Sequence, residues 1–377
     1  MKLLNREELQ RILAPHPAPC LSLFMRTHRH PPDSDQDPIR FKNLLKDAER
    51  LLSERYVGKE KDAVLGPVAA LATPELWRDR ADGLAVFQAQ DHSSVYRLPV
   101  ALPDLAVVAD SFHVKPVLGF LQSNQTYYVL VLSQNAVSLW VGTAAGAKPV
   151  DLSGLPRSLT EALGIERKEA HTTAFASAGG AVFQGRGAPE ATKKDDLLRF
   201  FRAIDQALWQ ALREERAPLF LAGAGYTFPI YREVSRYPHL APGGLEGSFE
   251  GVGADDLHRH AWPAVQAHLH AVEDDALAEY ERLYGRKLSS DILTEVAQAA
   301  VQGRVRRLLL GRGKRLFGRL DRTTGEVTLH GPAQIGPVDD DVLDDLAEVV
   351  LTKGGEILVI EQRRMPGDAA AAATFRW

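Results

Sequence analysis

A single cysteine, Cys20, is all that the 377 residues contain, so no disulfide can close within the chain and a reducing compartment fits. Cys20 stands in Ala18-Pro19-Cys20-Leu21-Ser22-Leu23-Phe24, which reads as a buried strand, so a core cysteine is expected; no activating partner for a reactive thiol is evident. Long apolar runs are also missing. Candidates such as Tyr127–Leu132 and Gly355–Ile360 are strand length, far short of the roughly 18–20 residues of a membrane span. Met1–Arg11 mixes charges of both signs without an apolar stretch, so no signal peptide and a cytoplasmic location are expected. An excess of positive charge is absent as well. Forty-five Lys and Arg against 49 Asp and Glu leave a net charge of −4, so any contact with nucleic acid must come from local basic clusters. There is no internal repeat and no long low-complexity linker.

What is present is ordinary for a globular protein, 45% hydrophobic and 25% charged, enough for each domain to bury its own core. At roughly 100–200 residues per domain the length allows two or three domains. Asn5 is placed to cap a first helix striped by Leu9, Ile12 and Leu13. After the Leu21–Phe24 strand and a polar loop, His28–Asp37, Ile39–Arg55 returns to helical period through Phe41, Leu44, Leu45, Ala48 and Leu51. Gly83–Phe87 and Val95–Leu98 read as paired strands. Tyr127–Leu132 and Ala136–Val141, around the Ser133-Gln134-Asn135 turn, read as a hairpin. A Gly/Ala-rich loop, His171–Ala191, precedes an amphipathic helix from about Lys194 to Arg213, and Pro218–Gly223 follows as a strand covered on both faces. His258–Tyr284 is helical. Asp291–Gln302 is a helix with Ile292, Val296 and Ala300 on one face, and Val305–Leu310 a strand. Asp341–Lys353 is a helix stopped by Gly354, Glu356–Ile360 a strand, and Ala369–Trp377 a final extended segment. The expected fold class is α/β, with a mixed α/β N-terminal domain over 1–122, a middle domain over 123–270 and an α/β/α sandwich over 271–377.

The sharpest charge feature is Arg304–Arg319, with Arg304, Arg306, Arg307, Arg312, Lys314, Arg315 and Arg319 and no acid. Spread over a strand, a turn and a strand, these cations can track an RNA backbone, with Gly311 and Gly313 allowing close approach; a plain solvated edge is the alternative. A second basic group, Arg186, Lys193, Lys194, Arg199 and Arg202, lies on the loop and helix of the middle domain. Asp195, Asp196 and Asp205 are interleaved there, which equally suits a solvated face laced with i,i+4 pairs. Asp339, Asp340, Asp341, Asp344, Asp345 and Glu348 mostly begin a helix, where its dipole favours them.

Other chemistries find little support. His258, His260, His268 and His270 lack metal-ligand spacing, so no metal site is expected. Gly311-Arg312-Gly313-Lys314 lacks the glycine spacing and the Ser/Thr of a P-loop, and Gly223-Ala224-Gly225 lacks the third glycine of a dinucleotide fingerprint. No cofactor and no small-molecule substrate are expected.

The closing segment, Gly354-Gly355-Glu356-Ile357-Leu358-Val359-Ile360-Glu361, then Gln362-Arg363-Arg364-Met365-Pro366-Gly367, then Ala370-Ala371-Ala372-Ala373-Thr374-Phe375-Arg376-Trp377, resembles the end of the third domain of archaeo-eukaryotic release factors and Pelota. Pro19–Phe24, Asp37–Leu45 and Asp195–Leu208 are similar to one group of bacterial homologues of these factors, and the nearest functional analogy is Balon-like, one such bacterial relative being a ribosome hibernation factor. The likeness touches all three parts of the chain through several weak motifs in the right order. It implies a ribonuclease-H-like middle domain and a last domain like the kink-turn-binding ribosomal proteins. It further implies a ribosome-associated translation factor that fills the A site as a tRNA mimic in hibernation, rescue or recycling, with a translational GTPase as a partner. Release factors of this kind place Gly-Gly-Gln on a loop before the long helix of the middle domain. Here Gly179 and Gly180 are separated from Gln184 by Ala181-Val182-Phe183, and Gly185, Arg186 and Gly187 follow. The contiguous motif is absent, so these residues are candidates for a loop at the peptidyl-transferase centre rather than for catalysis. The rival readings are an enzyme, either a peptidyl-tRNA hydrolase using Gln184 or a nuclease using carboxylates of the middle domain, and a stress-response scaffold that does not bind ribosomes.

Overall fold

The computed structural model describes residues 4–78, 81–163, 190–331 and 340–377. The chain forms two compact units, one made of Met1–Ser123 with Ala271–Trp377, the other of Asn124–His270.

The N-terminal segment of the first unit begins with α1 (Arg6–Ile12), where the Asn5 side chain accepts from Glu8 N at 2.9 Å as the helix cap. Next come β1 (Cys20–Arg26), α2 (Asp37–Arg55), α3 (Lys59–Ala70), β2 (Gly83–Gln88), β3 (Ser93–Leu98), β4 (Leu105–Ala109) and α4 (Lys115–Ser123). The strands form one antiparallel sheet in the order β3-β2-β1-β4. Alternation on β1 sends Leu21, Leu23 and Met25 toward Phe41, Ala48 and Leu52 of α2 and Val64 and Val68 of α3. Cys20 and Phe24 point to the other core, which holds α1, α4 and part of the last segment. Both faces are covered, which is why β1 is apolar almost without interruption.

The second unit holds β5 (Tyr127–Leu132), β6 (Val137–Thr143), β7 (Gly146–Val150), α5 (Leu159–Leu163), α6 (Glu190–Leu212), β8 (Leu219–Gly223), α7 (Thr227–Val234), β9 (Leu245–Glu246) and the first part of α8 (Ala254–Tyr284). Its sheet runs β7-β6-β5-β8-β9, a meander of three strands followed by parallel β8 and β9. That order is ribonuclease-H-like. On β5, Tyr128, Leu130 and Leu132 meet Phe200, Ile204 and Leu208 of α6, while Tyr127, Val129 and Val131 meet Leu257, Ala261 and Val265 of α8. At Gly223, with φ 152°, a Cβ would stand 2.3 Å from the Leu132 carbonyl oxygen, so β8 can leave the sheet here only as glycine.

The last segment, within the first unit, carries β10 (Ser289–Ser290), α9 (Leu293–Val301), β11 (Val305–Gly311), β12 (Phe317–Leu320), β13 (Val327–Leu329), β14 (Asp340–Asp341), α10 (Val342–Thr352), β15 (Glu356–Ile360) and β16 (Ala371–Phe375). The main sheet is β10-β16-β11-β15, and a small sheet, β13-β12-β14, stands beside it. α9 and α10 cover one face of the main sheet through Val296, Ala300, Leu346 and Val350. The end of α8 covers the other through Ala276 and Tyr280 against Leu309, Leu358 and Ala372. The small residues of β16 suit this α/β/α layering: Ala371 and Ala373 face the α9 side and Ala372 the α8 side. Ile292 departs from the expected apolar face. It is the residue before α9 and is 55% exposed.

Candidate nucleic-acid interface

The basic stretch starts on β11, and there the structure pairs its cations with acids the local sequence does not contain. Arg307 stands opposite Glu356 in the parallel β11–β15 register and binds it at 2.9 Å, and it also reaches Glu279 of α8 at 2.7 Å. Arg306 binds the other oxygen of Glu279 at 2.8 Å. Arg304 donates to the Trp377 carbonyl oxygen at 2.8 and 3.1 Å and lies over the Phe375 ring. All three arginines are thus engaged within the fold, Arg306 and Arg307 by acids from other elements and Arg304 by the Trp377 carbonyl. Acid-free in sequence is not acid-free in space.

The turn between β11 and β12 is different. Gly311 N donates to Ala370 O and Arg312 N to Ile360 O, and Lys314 N closes on Gly311 O at 3.2 Å, with Gly313 at φ 76°. Arg312 and Lys314 are exposed, and no acid pairs with either among the described residues. Arg315 lies over the Phe317 ring at 4.8 Å, with its Nε 3.9 Å from Asp341. Arg319 is exposed on β12. The candidate site therefore narrows to a glycine-containing turn that presents two unpaired cations, flanked by Arg315 and Arg319.

In the second unit, Lys194, Arg199 and Arg202 are exposed on α6. Among the described residues no ion pair joins them to Asp195 or Asp196, so the expected lacing of i,i+4 pairs is not formed. Asp205 does not belong to that face. It is buried, accepts from Arg236 N at 3.0 Å and binds Arg236 Nε at 2.7 Å. Gly179, Gly180, Gln184, Gly185, Arg186 and Gly187 lie outside the described residues, as does the side chain of Lys193.

The acidic run does more than serve a helix dipole. Asp341 caps α10, accepting from Leu343 N at 3.2 Å, as its position suggests. Asp341, Asp344, Asp345 and Glu348 also form one stripe, at i, i+3, i+4 and i+7, onto which the 111–115 segment docks. Asp344, nearly fully buried, accepts from Val114 N and Lys115 N and so satisfies donors at the start of α4, and His113 lies 3.3 Å from it. Ser111 donates to Glu348 at 2.7 Å. Arg322 binds both Glu348 and Asp345; burial works against its charge, but these carboxylates more than offset that and raise its pKa. Lys115 pairs with Asp341. Sequence reading missed Lys115 altogether, because a lone lysine before a proline carries no local signal.

The remaining candidates fall into structural places. Burial, with help from Asp91, Glu348 and Asp110, pushes the Cys20 thiol up to about 12. His258 Nδ1 lies 2.7 Å from the Tyr127 hydroxyl, and His260 Nδ1 lies 2.7 Å from the Asp256 carbonyl oxygen; burial lowers the pKa of His258 and of His268. Among the described residues no cluster of three or more His, Cys, Asp or Glu is arranged to hold a metal. The central strands β5 and β8 bear no acidic side chain, so they offer no carboxylate pair for the nuclease reading. No helix among the described residues is long and apolar enough to cross a membrane.

Comparison with known proteins adds the following. Residues 126–304 match the family described as bacterial archaeo-eukaryotic release factor family 3. No curated protein matches the chain. Among solved structures, the archaeal translation termination factor aRF1 is 15% identical, covering 100% of this chain and 99% of that one with a TM-score of 0.26. Pelota of Archaeoglobus fulgidus is 12% identical, covering 78% and 79% with a TM-score of 0.28. A model of ribosome-bound archaeal Pelota and ABCE1 is 10% identical, covering 100% and 95% with a TM-score of 0.41. Through residues 126–304, just under half of its length, the chain is similar to the bacterial archaeo-eukaryotic release factors of family 3.

Proposed function

We propose that this protein is a cytoplasmic, ribosome-associated translation factor that enters the A site as a tRNA mimic and acts by binding, without catalysis of its own. The observation that carries the reading is the family match over residues 126–304. The charge distribution supports it. A chain with a net charge of −4 nonetheless presents unpaired cations at one turn, Arg312 and Lys314, and along one helix, Lys194, Arg199 and Arg202. That is the pattern of a protein that meets RNA phosphates at a few points rather than through a general basic field. On this reading the loop of Gly179, Gly180, Gln184, Gly185, Arg186 and Gly187, with Lys193 behind it, faces the peptidyl-transferase centre. Lacking a contiguous Gly-Gly-Gln, it serves as a contact. A translational GTPase is the accessory partner.

The test is co-sedimentation of the purified protein with vacant 70S ribosomes at two salt concentrations. Binding through about four phosphates weakens by roughly 50- to 150-fold between ~50 and ~200 mM salt. Near-stoichiometric, salt-sensitive pelleting is expected. Absence of pelleting at either salt, with or without a GTPase and GTP, leaves only the fold in common with the family and rejects the proposal.

A further inference from the structure

The turn bearing Arg312 and Lys314 is fixed at its start by its own sheet, through Gly311 N to Ala370 O at 2.9 Å and Arg312 N to Ile360 O at 2.7 Å. Its far end is held by side chains instead. Asp341, fully buried, accepts from Leu316 N at 3.0 Å and lies 3.9 Å from Arg315 Nε. Lys115, the first residue of α4, donates both to the Asp341 carboxylate and to the Lys314 carbonyl oxygen, the latter at 2.5 Å. Its side chain is only 11% exposed, so it is not itself a surface cation. Between these ends sits Gly313, with positive φ and nothing within 4 Å of where a Cβ would stand. Glycine there leaves the backbone without a local preference for one shape.

We propose that Lys115 is a positioning residue for the basic turn. By drawing the Lys314 carbonyl inward and neutralising Asp341, it keeps the Arg312, Lys314 and Arg315 side chains turned outward. The phosphate affinity of a turn in the last segment then depends on the docking of residues 111–115 from the N-terminal segment. Without the ammonium, the Lys314 carbonyl loses its inward donor, and Arg315, whose Nε lies 3.9 Å from Asp341, is within reach of that carboxylate. The inference rests on reading the turn as a phosphate contact.

The experiment compares affinity for vacant 70S ribosomes across a series of salt concentrations in three forms. The first is Lys115→Met combined with Asp341→Asn, which removes both charges together and keeps a capping side chain on α10. The second is Lys115→Arg, which restores the donor. The third is Arg312→Ala with Lys314→Ala. For the neutral pair we expect affinity to fall about fivefold to thirtyfold at every salt, the effect of refixing one or two turn residues on binding, with the slope of log affinity against log salt unchanged. Lys115→Arg is expected to bind within about twofold of the parent. Parent-like affinity for the neutral pair, or a loss accompanied by a flatter slope, overturns the positioning role. If instead the Arg312→Ala, Lys314→Ala form keeps both parent affinity and parent slope, the phosphate reading itself is wrong and the inference goes with it.

Discussion

Replacing Arg312 and Lys314 together by alanine should cost the protein two phosphate contacts and little else. Both side chains are exposed, neither has an acidic partner among the described residues, and the turn's backbone is held by Ala370, Ile360 and Asp341 rather than by these side chains. Each lost contact removes about 0.7–0.9 from the slope of log affinity against log salt, so the pair removes about 1.4–1.8. At ~0.1 M salt that is a loss of about 25- to 60-fold in affinity, shrinking toward nothing near ~1 M. The assay is equilibrium sedimentation with vacant 70S ribosomes over a salt series, with thermal melts to confirm that the fold is retained. Arg306→Ala supplies the contrast. Arg306 is spent on Glu279, so its removal should change the slope by less than about 0.3. An unchanged slope in the double variant, or an equal change in Arg306→Ala, refutes the division of the basic stretch into structural arginines and a phosphate-facing turn.

Three further outcomes follow from the interior. Cys20, with its thiol pushed up to about 12 from an ordinary value of 9.0, should alkylate roughly a thousandfold more slowly at pH 8 in the native protein than after denaturation, read by mass spectrometry. Asp344→Ala leaves Val114 N, Lys115 N and His113 without their carboxylate and should destabilise the first unit by about 2–4 kcal/mol in denaturant unfolding. His258 and His268 have folded pKa values held below the ordinary 6.5 by burial, so the unfolded chain binds more protons than the folded one as pH falls. Their contribution is therefore full above about pH 6.5 and is lost as pH falls through the folded values. The second unit should melt lower at pH 5 than at pH 7.5, and His258→Gln with His268→Gln should flatten that dependence.

Much of the architecture could be read where periodicity and punctuation agree. The β5–β6 hairpin, the α6 stripe of Leu197, Phe201, Ile204 and Leu208, and the Gly354 stop all stand where their residues suggest. α3 escaped notice because Gly66 and Pro67 interrupt it and only Val64 and Val68 are buried. β7 escaped because Gly146–Val150 carries a proline and few β-branched residues, as a sheet edge tolerates. In α2 the buried residue near the end is Leu52, one position past the Leu51 chosen from spacing. At the candidate site, the glycines and cations of the turn were visible in sequence. What decided their roles was not, since Glu279, Glu356 and Asp341 approach from other elements. Charge pairing across a sheet or between helices leaves no trace in a local window, and for the same reason the acidic stripe of α10 read only as a helix start.

The most direct test of the account is competition for the A site. Vacant 70S ribosomes are saturated with this protein and then titrated with a deacylated tRNA and its cognate messenger under conditions that fill both P and A sites. The account predicts that A-site tRNA and the protein displace one another, while tRNA in the P site alone leaves the protein bound. Simultaneous stoichiometric binding of the protein and A-site tRNA would contradict it.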